Sequence, residues 1–246
     1  MRIALIADTF PPQRTSGAVQ LRDLSLEFVR QGHAVTVLLP SKDLQVTCLL
    51  EDFNGVEVLR LKVPGIEGRG YARRALYELF MPFAMLRQFR KSRLASENWD
   101  GVVWYSPSIF HGPLASFLKQ RGGCKGYLII RDIFPEWAVD LGLIGRGLPY
   151  LFFSAFARYQ YSVADIIGVQ TEGNLGYFSR WQLQSRRTLE VLPNWLGTPP
   201  KVKCSIRVNE TALAKRKVFV YAGNMGVAQG MDIILDLAEK LLYRTD

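Results

Sequence analysis

Cysteine and histidine are scarce in this sequence, and their spacing argues against two common kinds of site. The 246 residues include three cysteines, Cys48, Cys124 and Cys204, which are far apart and form no CxxC pair. An odd number of widely spaced cysteines predicts neither a disulfide framework nor a zinc site, and free thiols in a reducing compartment are the simplest interpretation. The only histidines are His33 and His111. Because catalytic transition-metal sites usually recruit several His or Cys ligands, we expect no metal to be required.

Long uncharged runs are also missing. The apolar start Ile3–Ala7 stops at Asp8, far short of the hydrophobic region of a signal peptide. No later run reaches the roughly 18 uncharged residues of a membrane span. We therefore expect the protein to stay in the cytoplasm.

Acidic residues are outnumbered. The chain has 31 Lys and Arg against 22 Asp and Glu, a net charge of +9. This balance favours an anionic partner, which could be nucleic acid, a membrane surface or a phosphorylated small molecule. Nucleic acid is the weakest of these, because no RNP, KH, zinc-finger or helix-turn-helix arrangement is present.

Short apolar runs alternate with stretches of helical period, which predicts an α/β fold with a Rossmann-like parallel sheet and helices on both faces. The hydrophobic content of 48% provides ample material for its core. The predicted strands are Arg2–Ala7, Ala34–Leu39, Val56–Lys62, Gly101–Tyr105, Gly126–Ile130, Ile166–Val169 and Leu189–Leu192.

The first helix is predicted between the first two strands, with Leu21, Leu24 and Phe28 on one face. Gly32 occupies the place of a left-handed residue that ends a helix. His33 follows it at the amino edge of the sheet, where we expect a structural role.

The pattern breaks after Asn194, and glycine, prolines and charges follow. We predict an N-terminal domain over 1–196, a linker over 197–212 and the start of a second domain over 213–246. Lys217–Tyr221 is predicted as a strand and Met231–Leu242 as an amphipathic helix. One strand and one helix cannot bury a core of their own. We therefore expect the rest of the second domain either to be missing from a truncated chain or to be supplied by another chain.

The turn after the first strand, residues 8–18, lies where open α/β sheets bind ligands. Ser16 and Gly17 stand at the start of the helix, and glycine would let phosphate or sugar oxygens approach the free N–H groups. Alternatively, Gly17 only permits a tight turn. A dinucleotide-dependent oxidoreductase or epimerase is disfavoured, since GxGxxG and the acidic residue after the second strand are absent.

Several segments together resemble family 4 retaining glycosyltransferases of bacterial surface-polysaccharide synthesis, including transferases of N-acetyl-fucosamine-type sugars. They are the opening with two prolines and glycine, the Arg-Gln-Gly-His33 turn, Arg131–Glu136, Val191–Asn194 and Val220–Gly230. The resemblance implies a GT-B fold, two facing Rossmann-like domains with the acceptor bound by the first and a nucleotide sugar by the second. It implies no cofactor and no metal; we expect a UDP-linked donor.

The resemblance also assigns the turn Gly223, Asn224, Gly226 and Gln229 to the donor diphosphate. A glycine turn before a helix offers N–H donors to phosphate. Many family members carry Arg in place of Asn224 and Lys in place of Gln229, so these two positions offer no positive charge to the diphosphate. The paired glutamates of the family would lie beyond Asp246.

His111 and Asp132 are the predicted catalytic residues. His111 follows a strand at the edge where the resemblance places a sugar-contacting histidine, and its imidazole could stabilise charge near the anomeric centre. Asp132 ends a strand at the same edge and could accept the proton of the acceptor hydroxyl. The alternatives are a locally packed histidine and an Arg131–Asp132 ion pair that only shapes the loop.

Glu136, Thr171 and Asn194 follow strands at this edge and are predicted on the acceptor side with Ser16 and Gly17. Glu136 could instead cap the next helix, and Asn194 is a good turn residue in any case.

Basic and aromatic residues alternate at helical spacing between Tyr71 and Leu94, which suits docking on an anionic membrane that carries a lipid-linked acceptor. The alternative is a helix that packs on the sheet with its charges solvated. Pro82 allows either one helix or two, and Leu148–Tyr161 could add a second apolar patch. The predicted docking residues are Arg73, Arg74, Phe83, Arg87, Arg90 and Lys91.

The resulting hypothesis is transfer of a sugar from a nucleoside-diphosphate sugar to a lipid-linked glycan in O-antigen or capsule synthesis, with this chain alone nearly inactive. The rival hypothesis is a non-catalytic fragment that binds the acceptor or docks on the membrane.

Overall fold

The computed structural model describes residues 1–65, 71–183, 187–198, 205–223, 225–226 and 229–244; within 71–76 it describes the backbone. The chain divides into two units, Met1–Gly197 and Thr198–Asp246. Each unit is considered by itself. The position and extent of the linker stay predictions.

The first unit is built on an eight-stranded sheet in the order β3-β4-β2-β1-β5-β6-β7-β8. All neighbouring strands are parallel except β3 and β4. The predicted α/β class is confirmed, and each strand predicted for this unit is present within two residues at either end. The strands are β1 Arg2–Ile6, β2 Ala34–Ser41, β3 Cys48–Phe53, β4 Val56–Lys62, β5 Gly101–Tyr105, β6 Lys125–Ile130, β7 Ile166–Val169 and β8 Thr188–Val191.

Strand β3 was absent from the sequence prediction. It pairs antiparallel with β4 through the two-residue turn Asn54–Gly55, where both residues have positive φ, 53° and 87°. Asn-Gly is the preferred pair for such a turn, because its backbone twist matches that of the strands. The dipeptide was therefore the signal that could have revealed this hairpin.

Helices cover both faces of the sheet, and alternate residues of each strand enter opposite cores. Helix α1 packs on one face with Leu21, while α2, α3, α5 and α6 pack on the other. The helices of this unit are α1 Ser16–Arg30, α2 Tyr71–Phe89, α3 Gly112–Gly122, α4 Glu136–Asp140, α5 Leu148–Val163 and α6 Leu175–Gln182. Gly32 has φ 83°, which confirms the predicted end of α1.

Pro82 lies inside α2, which continues as one helix. Met81, Met85 and Phe89 are buried on the sheet side of α2. Their packing explains why the helix persists despite the hydrogen bond that proline cannot donate. The prediction of an apolar face on the sheet is thus realised.

The predicted strand at residues 217–221 was wrong. No strand is present in the described residues of the second unit, and the side chains of Phe219 and Val220 are 78% and 80% exposed. A strand needs a neighbour to satisfy its N–H and C=O groups, and the described part of this unit offers none. Its one regular helix there is α7, Asp232–Leu241.

Candidate functional site

The carboxyl edge of the sheet gathers most of the predicted site residues. Strands β1, β5 and β6 are parallel neighbours, so the segments that follow them meet at one edge. These segments carry Asp8, His111 and Asp132, respectively. The sequence therefore placed His111 and Asp132 at a common edge correctly, while their catalytic roles stay predictions.

His111 is fully buried in the position just before α3. Its Nε2 lies 3.1 Å from Oδ1 of Asp8, but neither ring nitrogen has a hydrogen-bond partner. The pair is an ion pair when the imidazole is protonated. Because the Asp8 side chain is 37% exposed, it is the group of this pair that a ligand would meet. Asp8 was missed as a functional residue, although its place at the end of β1 is visible in the sequence.

Asp132 is exposed on the loop between β6 and α4. Desolvation by the surrounding residues raises the pKa of its carboxyl, and the neighbouring Arg131 opposes that shift. A raised pKa makes a carboxylate a better proton acceptor. The chemistry predicted for Asp132 is therefore available at this position.

A crossing segment, Leu192–Gly197, runs from β8 back to α1. Asn194 Oδ1 accepts from Nε2 of Gln20 at 2.8 Å, and Nε1 of Trp195 donates to the Gln20 carbonyl at 2.8 Å. Gln20 also accepts from the Tyr105 hydroxyl at 3.0 Å. Asn194 thus has a structural role, because its hydrogen bond to Gln20 holds the crossing segment against α1.

Arg131 and Gln170 extend the hydrogen-bond network of the crossing segment. With its amide oriented to satisfy both neighbours, Gln170 accepts from Asn194 Nδ2 at 2.6 Å and from Arg131 Nη2 at 3.1 Å. The Arg131 guanidinium lies 5.9 Å from the centre of the Trp195 ring, yet its buried Nη1 has no hydrogen-bond partner. Neither Arg131 nor Asp132 takes part in an ion pair among the described residues, so the predicted local ion pairing is absent there. Arg131 instead supports the crossing segment.

A cleft of about 610 Å³ opens between the start of α1 and the crossing segment. Ser16 and Asn194, both predicted on the acceptor side, contribute to its wall. The lining residues are Arg14, Thr15, Ser16, Val19, Gln20, Asn194, Trp195 and Leu196.

The interpretation of Gly17 as a tight-turn residue requires correction. It lies inside the first turn of α1, where an added Cβ would come 3.1 Å from Thr9 Cγ2 and 3.5 Å from the Tyr105 ring. The glycine therefore allows α1 to approach the turn after β1, and the approach of ligand oxygens to its N–H groups stays a prediction.

Glu136 and Thr171 reach the same edge but are engaged locally. The Glu136 carboxylate accepts from the hydroxyls of Tyr150 at 2.8 Å and Tyr177 at 3.1 Å. Thr171 and Asn174 form a reciprocal capping box before α6. These contacts favour a structural role for both residues.

The predicted donor turn belongs to the second unit. The Gly226 N–H donates to Oε1 of Gln229 at 3.0 Å, and Gly223 is exposed. Asn224 lies outside the described residues. In this arrangement Gln229 occupies the N–H group that the turn would offer to a diphosphate.

The predicted docking residues on α2 and just after it face solvent. Phe83 is 51% exposed, and Arg87, Arg90 and Lys91 are exposed as well. The side chains of Arg73 and Arg74 lie outside the described part of the chain. Helix α2 therefore combines a buried apolar face with a basic outer face.

Two properties concern metals and membranes. Within the described ranges, His, Cys, Asp and Glu side chains form no group of three or more that could hold a metal ion. Among the helices that the structure describes, none is long and apolar enough to cross a bilayer.

Residues 16–195 match the glycosyl transferase 4-like domain family. The chain is also 24% identical over 173 residues to the putative colanic acid biosynthesis glycosyl transferase WcaI of Escherichia coli (strain K12), covering 60% of this chain and 39% of that protein.

Two solved structures share the fold. The catalytic domain of starch synthase IV from Arabidopsis thaliana, bound to ADP and acarbose, has a TM-score of 0.52 at 14% identity, over 78% of this chain and 51% of that one. Sucrose-phosphate synthase from Thermosynechococcus elongatus has a TM-score of 0.55 at 12% identity, over 77% and 47%. The chain thus spans about half or less of the length of each of these proteins.

Proposed function

This chain belongs to the glycosyl transferase 4-like family, and from that premise we propose that it is the acceptor-side part of a retaining glycosyltransferase. The donor is a nucleoside-diphosphate sugar, UDP-linked by our expectation, and the acceptor a lipid-linked glycan of surface-polysaccharide synthesis. The WcaI relative supports polysaccharide synthesis, and the ADP bound to starch synthase IV supports a nucleotide donor. No cofactor and no metal enter the proposed reaction.

One observation carries this proposal. Asp8, His111 and Asp132 follow three adjacent parallel strands and reach one edge of the sheet, which is where ligands bind in open α/β sheets. Asp132 accepts the proton of the acceptor hydroxyl as it attacks. His111, behind Asp8, stabilises charge near the anomeric centre. The turn at Gly223, Asn224, Gly226 and Gln229 faces the diphosphate once Gln229 releases the Gly226 N–H.

The proposed membrane contact brings the enzyme to its lipid-linked acceptor. The exposed Phe83, Arg87, Arg90 and Lys91, on α2 and just after it, support it, and Arg73 and Arg74 belong to the proposal from the sequence alone. Anionic lipid attracts each arginine or lysine by about 1 kcal/mol near the surface. We place the protein at the cytoplasmic side of the membrane.

A second candidate is a non-catalytic module that binds the acceptor or the membrane. The large exposed fractions of the Phe219 and Val220 side chains favour it, because exposed apolar side chains can form a contact surface.

Calorimetric titration with a water-soluble analogue of a lipid-linked oligosaccharide tests the acceptor site. We expect binding by the wild type, about tenfold weaker binding by Asp132→Asn through loss of a charged hydrogen bond, and unchanged binding by the control Asp140→Asn. Equal binding by all three would remove Asp132 from the site.

A transfer assay with labelled UDP-sugars tests the low activity that both candidates predict for this chain. We expect little or no turnover by this chain alone. Robust turnover would overturn that expectation and exclude the non-catalytic module.

A further inference from the structure

The imidazole of His111 is not oriented by a hydrogen bond of its own. The side chain is fully buried, and neither ring nitrogen has a hydrogen-bond partner. Its Nε2 lies 3.1 Å from Oδ1 of Asp8, but an ion pair depends mainly on distance and fixes a ring less tightly than a hydrogen bond would. The orientation of the imidazole must therefore come largely from the backbone that carries it.

That backbone is the β5–α3 loop, residues 106–111, and its two ends are held by backbone hydrogen bonds. At one end the Ser106 N–H donates to the Ile129 carbonyl at 2.9 Å. At the other end the His111 carbonyl accepts from the Ala115 N–H at 3.0 Å, which is the first hydrogen bond of α3. Between these ends the loop has no strand beside it, so its buried carbonyls need partners from elsewhere.

Gln160 of α5 provides such a partner in the middle of the loop. Its Nε2 donates to the Ser108 carbonyl at 3.1 Å, and this hydrogen bond is buried. The Gln160 side chain is 0% exposed. Because a buried carbonyl without a partner costs free energy, this amide favours the loop conformation that the structure shows.

Both chain neighbours of the histidine also pack on α5. A Cβ on Gly112 would lie 2.9 Å from the Tyr159 ring and 3.3 Å from Cα of Gln160, so glycine is needed for this close approach. On the other side of the histidine, the ring of Phe110 contacts that of Phe156 with centres 5.1 Å apart. The residue that bonds the loop therefore lies directly against the start of α3.

A glutamine is a costly choice at this position. The buried residues of α5 are Ser154, Ala157, Gln160 and Tyr161, and Oε1 of Gln160 has no hydrogen-bond partner. Burying an amide costs free energy that an apolar side chain of the same length would avoid. The bond to Ser108 is thus the contact that accounts for an amide here.

We propose that Gln160 is a positioning residue for His111. Its hydrogen bond to the Ser108 carbonyl holds the β5–α3 loop so that the imidazole stays beside Asp8 at the carboxyl edge of the sheet. Gln160 is fully buried behind the loop and acts through His111, without contact to a substrate. The inference rests on the proposed function for the role of His111, but the orientation of the ring is measured without sugar transfer.

Nuclear magnetic resonance of the whole chain tests this proposal, because His33 and His111 are the only histidines. With isotope-labelled histidine, the ring signals report these two side chains alone, and His33→Gln assigns them. We compare the wild type with Gln160→Met at one neutral pH, since methionine keeps the length of the side chain and loses the donor. We expect a shifted or doubled His111 ring signal and an unchanged His33 signal.

Ser154→Ala is the matched control. It removes another polar group from the buried face of α5, a hydroxyl that has no hydrogen-bond partner, and we expect it to leave the His111 signal unchanged. Gln160→Asn is the second variant in case Gln160→Met does not fold. It keeps a buried amide but is one methylene shorter, so it loses the bond to Ser108 and we expect it to change the same signal.

Chemical modification by diethyl pyrocarbonate gives an independent measurement, with His33 and His111 resolved as separate peptides by mass spectrometry. We expect His111 to react about tenfold faster in Gln160→Met, because the lost hydrogen bond makes local opening of the loop easier. The rate at His111 in Ser154→Ala and the rate at His33 in both variants should stay as in the wild type.

Two results would overturn the proposal. An unchanged His111 signal in a folded Gln160→Met or Gln160→Asn would leave Gln160 with a merely structural role, whatever the loss of stability. An equal change in Ser154→Ala would trace the effect to the packing of α5 and not to the hydrogen bond. A failure of acceptor binding, in contrast, would remove the proposed function and would not alter these measurements.

Discussion

Polar side chains at the two edges of the sheet differ in how they are paired. At the amino edge, Asp165 accepts from the Gly126 N–H and pairs with Nζ of Lys119, both at 2.6 Å. At the carboxyl edge, both ring nitrogens of His111 and Nη1 of Arg131 are buried without a hydrogen-bond partner. Unpaired buried groups cost free energy, and native proteins retain them mainly where function requires it. Because Nε1 of Trp99, just before β5, is also buried without a partner, the carboxyl edge is distinguished by its unpaired ionisable side chains, and it is the edge that we propose for a ligand.

The largest expected difference between the edges comes from glycine. A Cβ on Gly122, at the amino edge, would lie 2.3 Å from the backbone oxygen of Trp99, and backbone cannot move aside easily. A Cβ on Gly17 would come 3.1 Å from the Thr9 methyl group and would touch the Tyr105 ring at an ordinary contact distance of 3.5 Å. We expect Gly122→Ala to lower the free energy of unfolding by about 3 kcal/mol and Gly17→Ala by about 1 kcal/mol.

Urea unfolding followed by tryptophan fluorescence measures both effects. All five tryptophans lie in the first unit, so the signal reports that unit alone. Gly101→Ala is the control, because an added Cβ there meets nothing within 4 Å. A larger loss in Gly17→Ala than in Gly122→Ala would reverse the proposed order of the two edges.

A smaller difference is expected from aspartate. Asp165→Asn weakens contacts to a backbone N–H and to a lysine, which should cost about 1–2 kcal/mol. Asp8→Asn removes a carboxylate that makes no hydrogen bond to His111 and should change stability by less than about 0.5 kcal/mol. The same unfolding measurement checks both variants. Equal losses would show that Asp8 is a structural partner of His111.

The sequence predicted which residues lie at the carboxyl edge of the sheet, but it did not predict the contacts between their side chains. Apolar runs and helical periods locate the strands, and parallel pairing then places Asp132 and His111 together. The contact between His111 and Asp8 depends on packing between segments about a hundred positions apart, which local patterns do not encode. Gly17 illustrates the same limit, since the small size of its side chain is required by the nearby Thr9 methyl group and Tyr105 ring.

The two units differ for a related reason. In the first, each predicted strand found a neighbour; in the second, Lys217–Tyr221 has β-branched and aromatic residues but no strand beside it in the described residues. Propensity for strand is realised only through pairing and burial. The sequence could therefore predict elements for both units but a folded sheet only for the first.

The smallest expected effect concerns pH at the carboxyl edge. Desolvation raises the pKa of the Asp132 carboxyl, so the folded protein binds this proton more readily than the unfolded chain does. The ionised form therefore destabilises the fold above the raised pKa. This penalty is removed as pH falls through the raised pKa to below the ordinary value of 3.8.

Asp132→Asn should consequently be slightly more stable than the wild type at neutral pH, by about 0.5 kcal/mol or less, because the exposed side chain is screened by solvent. The advantage should shrink as pH falls, since the wild-type carboxyl then also becomes neutral. Parallel urea titrations at neutral and acidic pH measure it. If the stability advantage of Asp132→Asn grew on acidification, the folded state would favour the Asp132 carboxylate. Asp132 would then resemble Asp165, the paired acid of the amino edge.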